Sequence, residues 1–558
     1  MATRYRSRRA SGSHALAWIA LAMVGVGLIV CLLGYAALRR LGSPPSTRDV
    51  TLTIAYSPEK EEVFQRLAQA FTETRPRLEN GKRVQVVVTR VNPDAMVEGA
   101  QTNAYDAISP DSSIWLGEIE RRGGASDPVG QSIVGETVRY MVSPVVIGMW
   151  RDVATTLGYP DRDLGWQDLL QAAADNPEFR WSHPSTSSAS GLLTTLALFY
   201  AGAGTTRGMT EADATAQTTI DYVTRLERTV THYGEGELAV MQQIEAQGRA
   251  YLDAFVVQEQ LLVQYNRAHG PELVAIYPIE GTLWEDHPLA LLEHPERTDE
   301  ERQAFGLLKA FLLSPETQRL ILSYGYRPTD LSIRLDGPDS PITPQNGADP
   351  AQPYTTLQVP SPSVIDVVRN AWQYTKRRTN IYLVVDVSGS MAGAKLADAQ
   401  EALRIFVAQI QNADERVGLI AFSSDVDEAV PLTRLGTGRD TLNGAIDTLT
   451  ASGGTALLDG IDSAATKLQD LNDAERINAI VVMTDGQENR SRASLRAVTA
   501  RLQRTQGTDT PIVVFCIAYG RDADMEMLEA ISNATGGFTQ RGELETIREL
   551  YRTLSMYF

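Results

Sequence analysis

Three short stretches of this chain combine oxygen-bearing side chains in a way that could hold a hard cation. Residues 384–391 read VVDVSGSM, so that Asp386, Ser388 and Ser390 follow directly on an apolar run that begins at Ile381. Residues 452–460 read SGGTALLDG, with Thr455 opening a helical pattern, and residues 481–489 read VVMTDGQEN, with Asp485 closing another apolar run. Small hydroxyls and two carboxylates suit Mg²⁺, which takes oxygen ligands in an octahedron and keeps several waters. Gly389, Gly453, Gly454 and Gly486 let the backbone turn tightly beside them. Singly, each stretch reads as ordinary punctuation, with Ser388 and Ser390 as helix caps and Asp485 as a turn residue. Position separates the readings, because ligands of open α/β sheets gather at the carboxyl ends of the strands, where all three stretches fall.

The elements that must position them start at Ile381. Strand-like runs IYLVVD, RVGLIAFS, AIVVMTD and PIVVFCIAY alternate with helical patterns over 394–411, 457–471 and 493–506. Near-continuous Val, Ile and Leu is what a sheet covered on both faces requires, so a doubly wound, Rossmann-like α/β domain is predicted. On these three motifs the chain from Asn380 to Phe558 resembles a von Willebrand factor type A domain with a complete metal-ion-dependent adhesion site. The resemblance implies that Ser388 and Ser390 bind the metal through their hydroxyls and that Thr455 binds directly in the ligand-engaged arrangement. It implies that Asp386 and Asp485 act largely through ordered water. The implied cofactor is Mg²⁺, or Mn²⁺ or Ca²⁺ in its place, and the implied partner is a protein offering an acidic side chain to the metal.

The N-terminal half repeats the alternation, with TLTIAY, a helix over 59–72, RVQVVV, a short helix and YDAIS. That order predicts β-α-β units and a largely parallel sheet. ETVRYMVSPVVIGMW and YLDAFVV bracket a helix-rich stretch, and the unit ends near Tyr324. Its candidate ligand groups are Ser57 in IAYSPEKEE, Ser109, Ser112 and Ser113 in AISPDSSIW, Ser187, Ser188 and Ser190 in HPSTSSASG, and Tyr277 at the end of LVAIY. Together these resemble the type 2 periplasmic solute-binding proteins, two α/β lobes hinged around a cleft. The resemblance implies serine hydroxyls and helix N-termini holding a small polar or anionic solute. Helix capping accounts for each serine equally well, and Glu59, Glu61 and Glu62 oppose an anion at the first helix.

Between 327 and 356 the composition changes, with six prolines and no sustained periodicity, as a linker or an irregular return strand would show. The expected division is a basic tail (1–14), a membrane span (15–38), a solute-binding-like domain (49–326), a linker with a connecting helix (327–379) and the type A domain (380–558). The uncharged run over 15–38 is 24 residues long, enough for the roughly 20 that a bilayer needs and longer than the roughly 7–15 of a signal peptide core. Tyr35-Ala36-Ala37 before Arg39 and Arg40 is a poor cleavage site, and Val30 is bulky for a lipoprotein site at Cys31. A retained single-pass anchor in the cell membrane follows, with the arginine-rich N-terminus cytoplasmic and the bulk of the chain outside.

Beyond residue 40 the chain carries 45 basic against 69 acidic side chains, a formal charge of −24. Such a body is repelled by nucleic acid and by anionic headgroups. Cys516 in IVVFCIAYG reads as a buried strand residue. No phosphate-binding loop, H-E-x-x-H, G-x-S-x-G or spaced Cys/His set is present, and none of the six histidines lies beyond residue 294. The sequence therefore predicts a binding protein rather than an enzyme. The alternative it offers is the solute-binding component of a transport system with an accessory type A domain.

Overall fold

Val50, Leu52 and Ile54 point inward on alternate positions of the first strand, Asp49–Tyr56, which is how a period of two buries one face. In the computed structural model, which describes residues 49–124, 132–234, 236–410, 412–506, 508, 510–520 and 522–542, this strand is central to the first of three sheets. The expected membrane span at 15–38 lies outside the described residues. Among the described residues no helix is long and apolar enough to cross a membrane.

The first lobe is a five-stranded sheet in the order Arg83–Arg90, Asp49–Tyr56, Ala107–Ser109, Pro288–Leu292 and Val134–Arg139. Its first three strands are parallel, as β-α-β units require, and Pro288–Leu292 runs antiparallel to both neighbours. The second lobe is built on Met141–Trp150, which pairs with Trp284–Glu285, Ala254–Gln258, Leu273–Ile276 and Arg327–Pro328. The chain crosses between lobes at Tyr140 and again at Asp286–His287, where His287 adopts a left-handed φ of 31°. A non-glycine residue in that region is strained, so the backbone at the crossing is constrained.

The proline-rich segment joins the second lobe instead of hanging free. Arg327–Pro328 forms the return strand, Ile342, Ala348 and Leu357 are buried, and Arg327 is bridged to buried Glu259. The connecting helix, Pro362–Thr375, buries Val364, Ile365, Val368 and Trp372.

The C-terminal sheet has six strands in the order Val426–Arg434, Arg416–Phe422, Arg378–Asp386, Arg476–Thr484, Ile512–Tyr519 and Thr539–Gly542, all parallel except the first. Alternate residues of each central strand serve two cores. Tyr382, Val384, Ile480, Val482 and Val514 pack under the helices Leu457–Leu471, Leu495–Thr505 and Met525–Asn533. Leu383, Val385, Val481, Met483 and Phe515 pack under Ala394–Gln409 and Leu435–Asp447. This is the doubly wound α/β arrangement predicted. The second of these cores continues without a break into the second lobe of the N-terminal half. Trp372 Nε1 donates to buried Glu227 at 2.9 Å, Arg377 N donates to the Tyr233 hydroxyl at 2.8 Å, and Gln247 Nε2 donates to the Gly537 carbonyl at 2.9 Å across the junction.

Candidate metal centre and interlobe cleft

Two neighbouring parallel strands end side by side on one rim, Arg378–Asp386 in Asp386 and Arg476–Thr484 one residue before Asp485. Asp386, Ser388, Thr455 and Asp485 are buried, while Ser390 is exposed, so the cluster opens to solvent at Ser390. Both oxygens of Asp386 are held: Oδ1 accepts from the Ser388 backbone N–H at 2.7 Å and Oδ2 from the Thr484 hydroxyl at 2.5 Å. Ser388 Oγ and Ser390 Oγ lie 2.9 Å apart, and Ser390 Oγ donates to Asp485 Oδ1 at 2.7 Å. Lys395 extends from the following helix and places its ammonium on Asp485 Oδ2.

Gly486 marks where the three loops meet. A methyl carbon added to its α-carbon would lie 3.4 Å from Thr455 Oγ1, 3.6 Å from Ser390 Oγ and 3.9 Å from Asp386 Oδ2. Oxygen atoms from all three motifs thus surround one point, and the absence of a side chain at residue 486 keeps that point open. The donor set is hydroxyl and carboxylate only, the chemistry that fits Mg²⁺. Burial raises the Asp386 carboxyl above its ordinary value, while its hydrogen bonds from Ser388 and Thr484 oppose that rise.

Backbone bonds fix the loops to one another. Gly389 N donates to Gly453 O at 3.1 Å, Ser452 N to Val387 O at 2.8 Å, and Gly454 N to Ser424 Oγ at 2.8 Å. Asn489 accepts from Thr455 N at 3.0 Å, and its own N–H returns to Thr455 O at 3.1 Å. Gly453 has φ of +81°, a conformation that glycine adopts without cost. The residues that sequence reading missed are Thr484, Lys395, Ser424 and Asn489. Thr484 and Asn489 sit within the VVMTDGQEN motif and Lys395 lies five residues past Ser390, but no spacing rule says which of these side chains turns toward the site.

In the N-terminal half the structure gathers most of the expected serines around the lobe boundary. Ser57 stands at the N-cap position of the short helix Pro58–Lys60 without a side-chain capping bond, its hydroxyl donating to Glu59 instead. Buried Ser109 bonds the Tyr140 hydroxyl at 2.9 Å and receives Lys60 Nζ at 3.3 Å. Ser112 is buried beside Asp111, while the Ser113 N–H donates to Asp286 at 2.7 Å. Ser188 caps the helix Ala189–Ala203, and the hydroxyl of buried Ser190 lies 3.4 Å from that of Ser188. Tyr277 stands apart: its hydroxyl donates to Glu259 and accepts from Asp349 N at 3.1 Å, so it fastens the return segment rather than joining the serines.

Comparison with known proteins divides the chain at the same place. The von Willebrand factor type A domain family matches residues 380–552, and the bacterial extracellular solute-binding protein family matches residues 52–327. Among curated proteins, the E3 ubiquitin-protein ligase WAV3 of Arabidopsis thaliana is 26% identical over 190 residues, 33% of this chain and 22% of that protein. Inter-alpha-trypsin inhibitor heavy chain H4 of Homo sapiens is 26% identical over 170 residues, 29% of this chain and 18% of that protein. The match therefore spans about a fifth of the length of either relative. Among solved structures, the sulfate-binding protein SubI from Mycobacterium tuberculosis H37Rv is 19% identical with a TM-score of 0.37, covering 51% of this chain and 88% of that one. The chain thus joins a solute-binding domain of the bacterial extracellular family, at residues 52–327, to a von Willebrand factor type A domain at residues 380–552.

Proposed function

We propose that the type A domain recognises a protein partner through a divalent cation held by Asp386, Ser388, Ser390, Thr455 and Asp485, and that the N-terminal domain captures a small solute between its lobes. In this reading residues 15–38 anchor the chain in the cell membrane and the remainder acts outside it. The observation that carries the proposal is the meeting of Asp386, Ser390 and Thr455 oxygens around Gly486. A cation bound there supplies a Lewis-acidic position that a partner carboxylate can fill. The chain's own part is positional. Thr484 and the Ser388 N–H hold both Asp386 oxygens so that the carboxylate cannot rotate away. Only two carboxylates stand among the five side chains, which leaves a divalent ion with positive charge to offer an outside acid. Mg²⁺ is the expected ion, with Mn²⁺ or Ca²⁺ able to replace it.

Binding is favoured over catalysis because residues 380–558 contain no histidine and their one cysteine, Cys516, is buried in the sheet with its thiol pushed up to about 12 by burial. The test is retention of a membrane or extracellular protein by the immobilised full chain in Mg²⁺, with release in EDTA and no retention by Ser390→Ala. Equal retention in EDTA contradicts the reading. A second reading, delivery of a solute to a membrane permease, is favoured by the two-lobed N-terminal domain. Loss of uptake of a bound solute on deleting the protein from its native cell is the observation that separates it from sensing.

A further inference from the structure

The metal loops share a wall with an open depression of about 760 Å³, lined among others by Ser424, Asp425, Asp459, Asp462, Arg490 and Arg492. That wall is Gly454, one residue before Thr455. Its N–H donates to Ser424 Oγ at 2.8 Å, and the Arg490 side chain lies across it: a methyl carbon on Gly454 would stand 2.6 Å from Arg490 Cγ and 3.0 Å from its Nε. Arg490 N donates to the Thr455 carbonyl at 3.2 Å, so this arginine is fastened to the residue whose hydroxyl faces Gly486.

Charge in the depression is unevenly committed. Asp459 accepts the backbone N–H groups of Arg492 and Ala493 at 3.0 Å and 2.8 Å, and Asp462 pairs with Arg501 at 3.1 Å. Arg490 and Arg492 are exposed, and among the described residues neither guanidinium has a hydrogen bond or a carboxylate partner. By contrast Arg404 is bridged to Glu401 and Asp447, and Arg439 donates to the Val407 and Ile410 carbonyls. Asp425, also exposed, is the one lining acid without such a partner, so two uncommitted guanidiniums stand against one uncommitted carboxylate. Beyond residue 40 the chain carries 45 basic against 69 acidic side chains, which makes this spot beside the Thr455 loop a local reversal of sign. Neither arginine contributes an ion pair to the fold, and each presents a fork of N–H donors that matches a carboxylate.

Resting on the reading of the type A domain as a cation-dependent binder of a partner carboxylate, we infer that the partner segment carries a second acidic side chain, seated on Arg490 and Arg492 in this depression while the first fills the metal position. The cation then fixes one carboxylate and the arginines select for another, so a segment with a single acid engages only half of the surface. The backbone bond from Arg490 to Thr455 ties the two positions to one loop.

The full chain, immobilised in detergent and brought to saturation with Mg²⁺, is used to select from a phage-displayed library of random heptapeptides, with elution by EDTA. The Arg490→Gln/Arg492→Gln double variant, saturated in the same way by calorimetric titration, is run in parallel. Peptides eluted from the parent are expected to carry two or more acids, and those from the double variant one. A synthetic peptide from the parent's pool should bind the double variant about tenfold more weakly, about threefold for each exposed ion pair. The same peptide with its second acid replaced by Gln should bind both proteins alike. A parent pool in which single acids suffice overturns the second-acid inference and leaves the metal reading standing. The absence of any acid-enriched pool in the EDTA eluate overturns the metal-bridged reading and this inference with it. Two-acid peptides that bind parent and double variant equally overturn the assignment to Arg490 and Arg492.

Discussion

The Lys395 ammonium rests on Asp485 Oδ2 while the Ser390 hydroxyl occupies Oδ1 at 2.7 Å, so a tethered cation of the chain itself sits at the edge of the candidate metal centre. Lys395 is 37% exposed and can withdraw into solvent. Lys395→Ala should therefore tighten Mg²⁺ binding by up to about fivefold, the worth of a partly exposed ion pair. Calorimetric titration of the two proteins checks it, and weaker binding by the variant would show that Lys395 supports the site instead of competing for it.

Gly486 is not in the left-handed region, and a methyl group on it meets only ordinary contacts, the nearest at 3.4 Å. Gly486→Ala should fold, with a melting temperature within a few degrees of the parent, yet lose most of its divalent-cation affinity, because the added carbon stands where the three loops aim their oxygens. Circular dichroism melts paired with Mg²⁺ titration separate the two effects. Undiminished affinity in this variant would move the binding point away from Gly486.

The junction between the two halves depends on Trp372, which is 3% exposed, donates to Glu227 and stacks edge-on against Tyr233. Trp372→Ala should cost about 3–5 kcal/mol by cavity formation and should leave the Glu227 carboxylate short of a donor. The expected outcome is a lower denaturant midpoint together with freer proteolysis between residues 327 and 379. An unaltered midpoint would mean that the shared core contributes little to holding the domains together.

Cleft acidity gives a pH signature. Glu237 is raised from 4.5 to about 7 in the folded protein, first by burial and then by Glu59. A carboxyl raised by folding binds its proton more tightly in the native state, so its contribution is most favourable below about 4.5 and falls as pH rises towards about 7. The loss is on the order of 2–3 kcal/mol. Glu237→Gln should flatten that part of the stability curve, with Asp111 and Glu285 leaving a residual slope. Parallel slopes for parent and variant would place the titration elsewhere.

The type A domain was legible in the sequence because both of its signals are local. Runs such as IYLVVD and AIVVMTD can only be strands buried on two faces, and the oxygen-bearing residues stand where those runs stop. The predicted helices 394–411, 457–471 and 493–506 appear as Ala394–Gln409, Leu457–Leu471 and Leu495–Thr505. The edge strand Val426–Arg434 and the helix Leu435–Asp447 went unread because the strand is largely solvent-facing and the helix carries three glycines. The packed return segment after Arg327 was half-read, since proline content marks irregular backbone but not burial. The cleft was hardest. Its serines were visible one by one, but Glu237 and Glu285, which the Gln258 amide bridges, lie 48 residues apart in a chain where acids are common.

The central claim is tested most directly by titrating Mg²⁺ into the full chain and into Asp386→Ala by calorimetry. Asp386 is fully buried, and both of its oxygens are committed to the loop that carries Ser388 and to the strand end at Thr484. The account predicts saturable Mg²⁺ binding by the parent that is lost in the variant. Equal Mg²⁺ uptake by both proteins would contradict it.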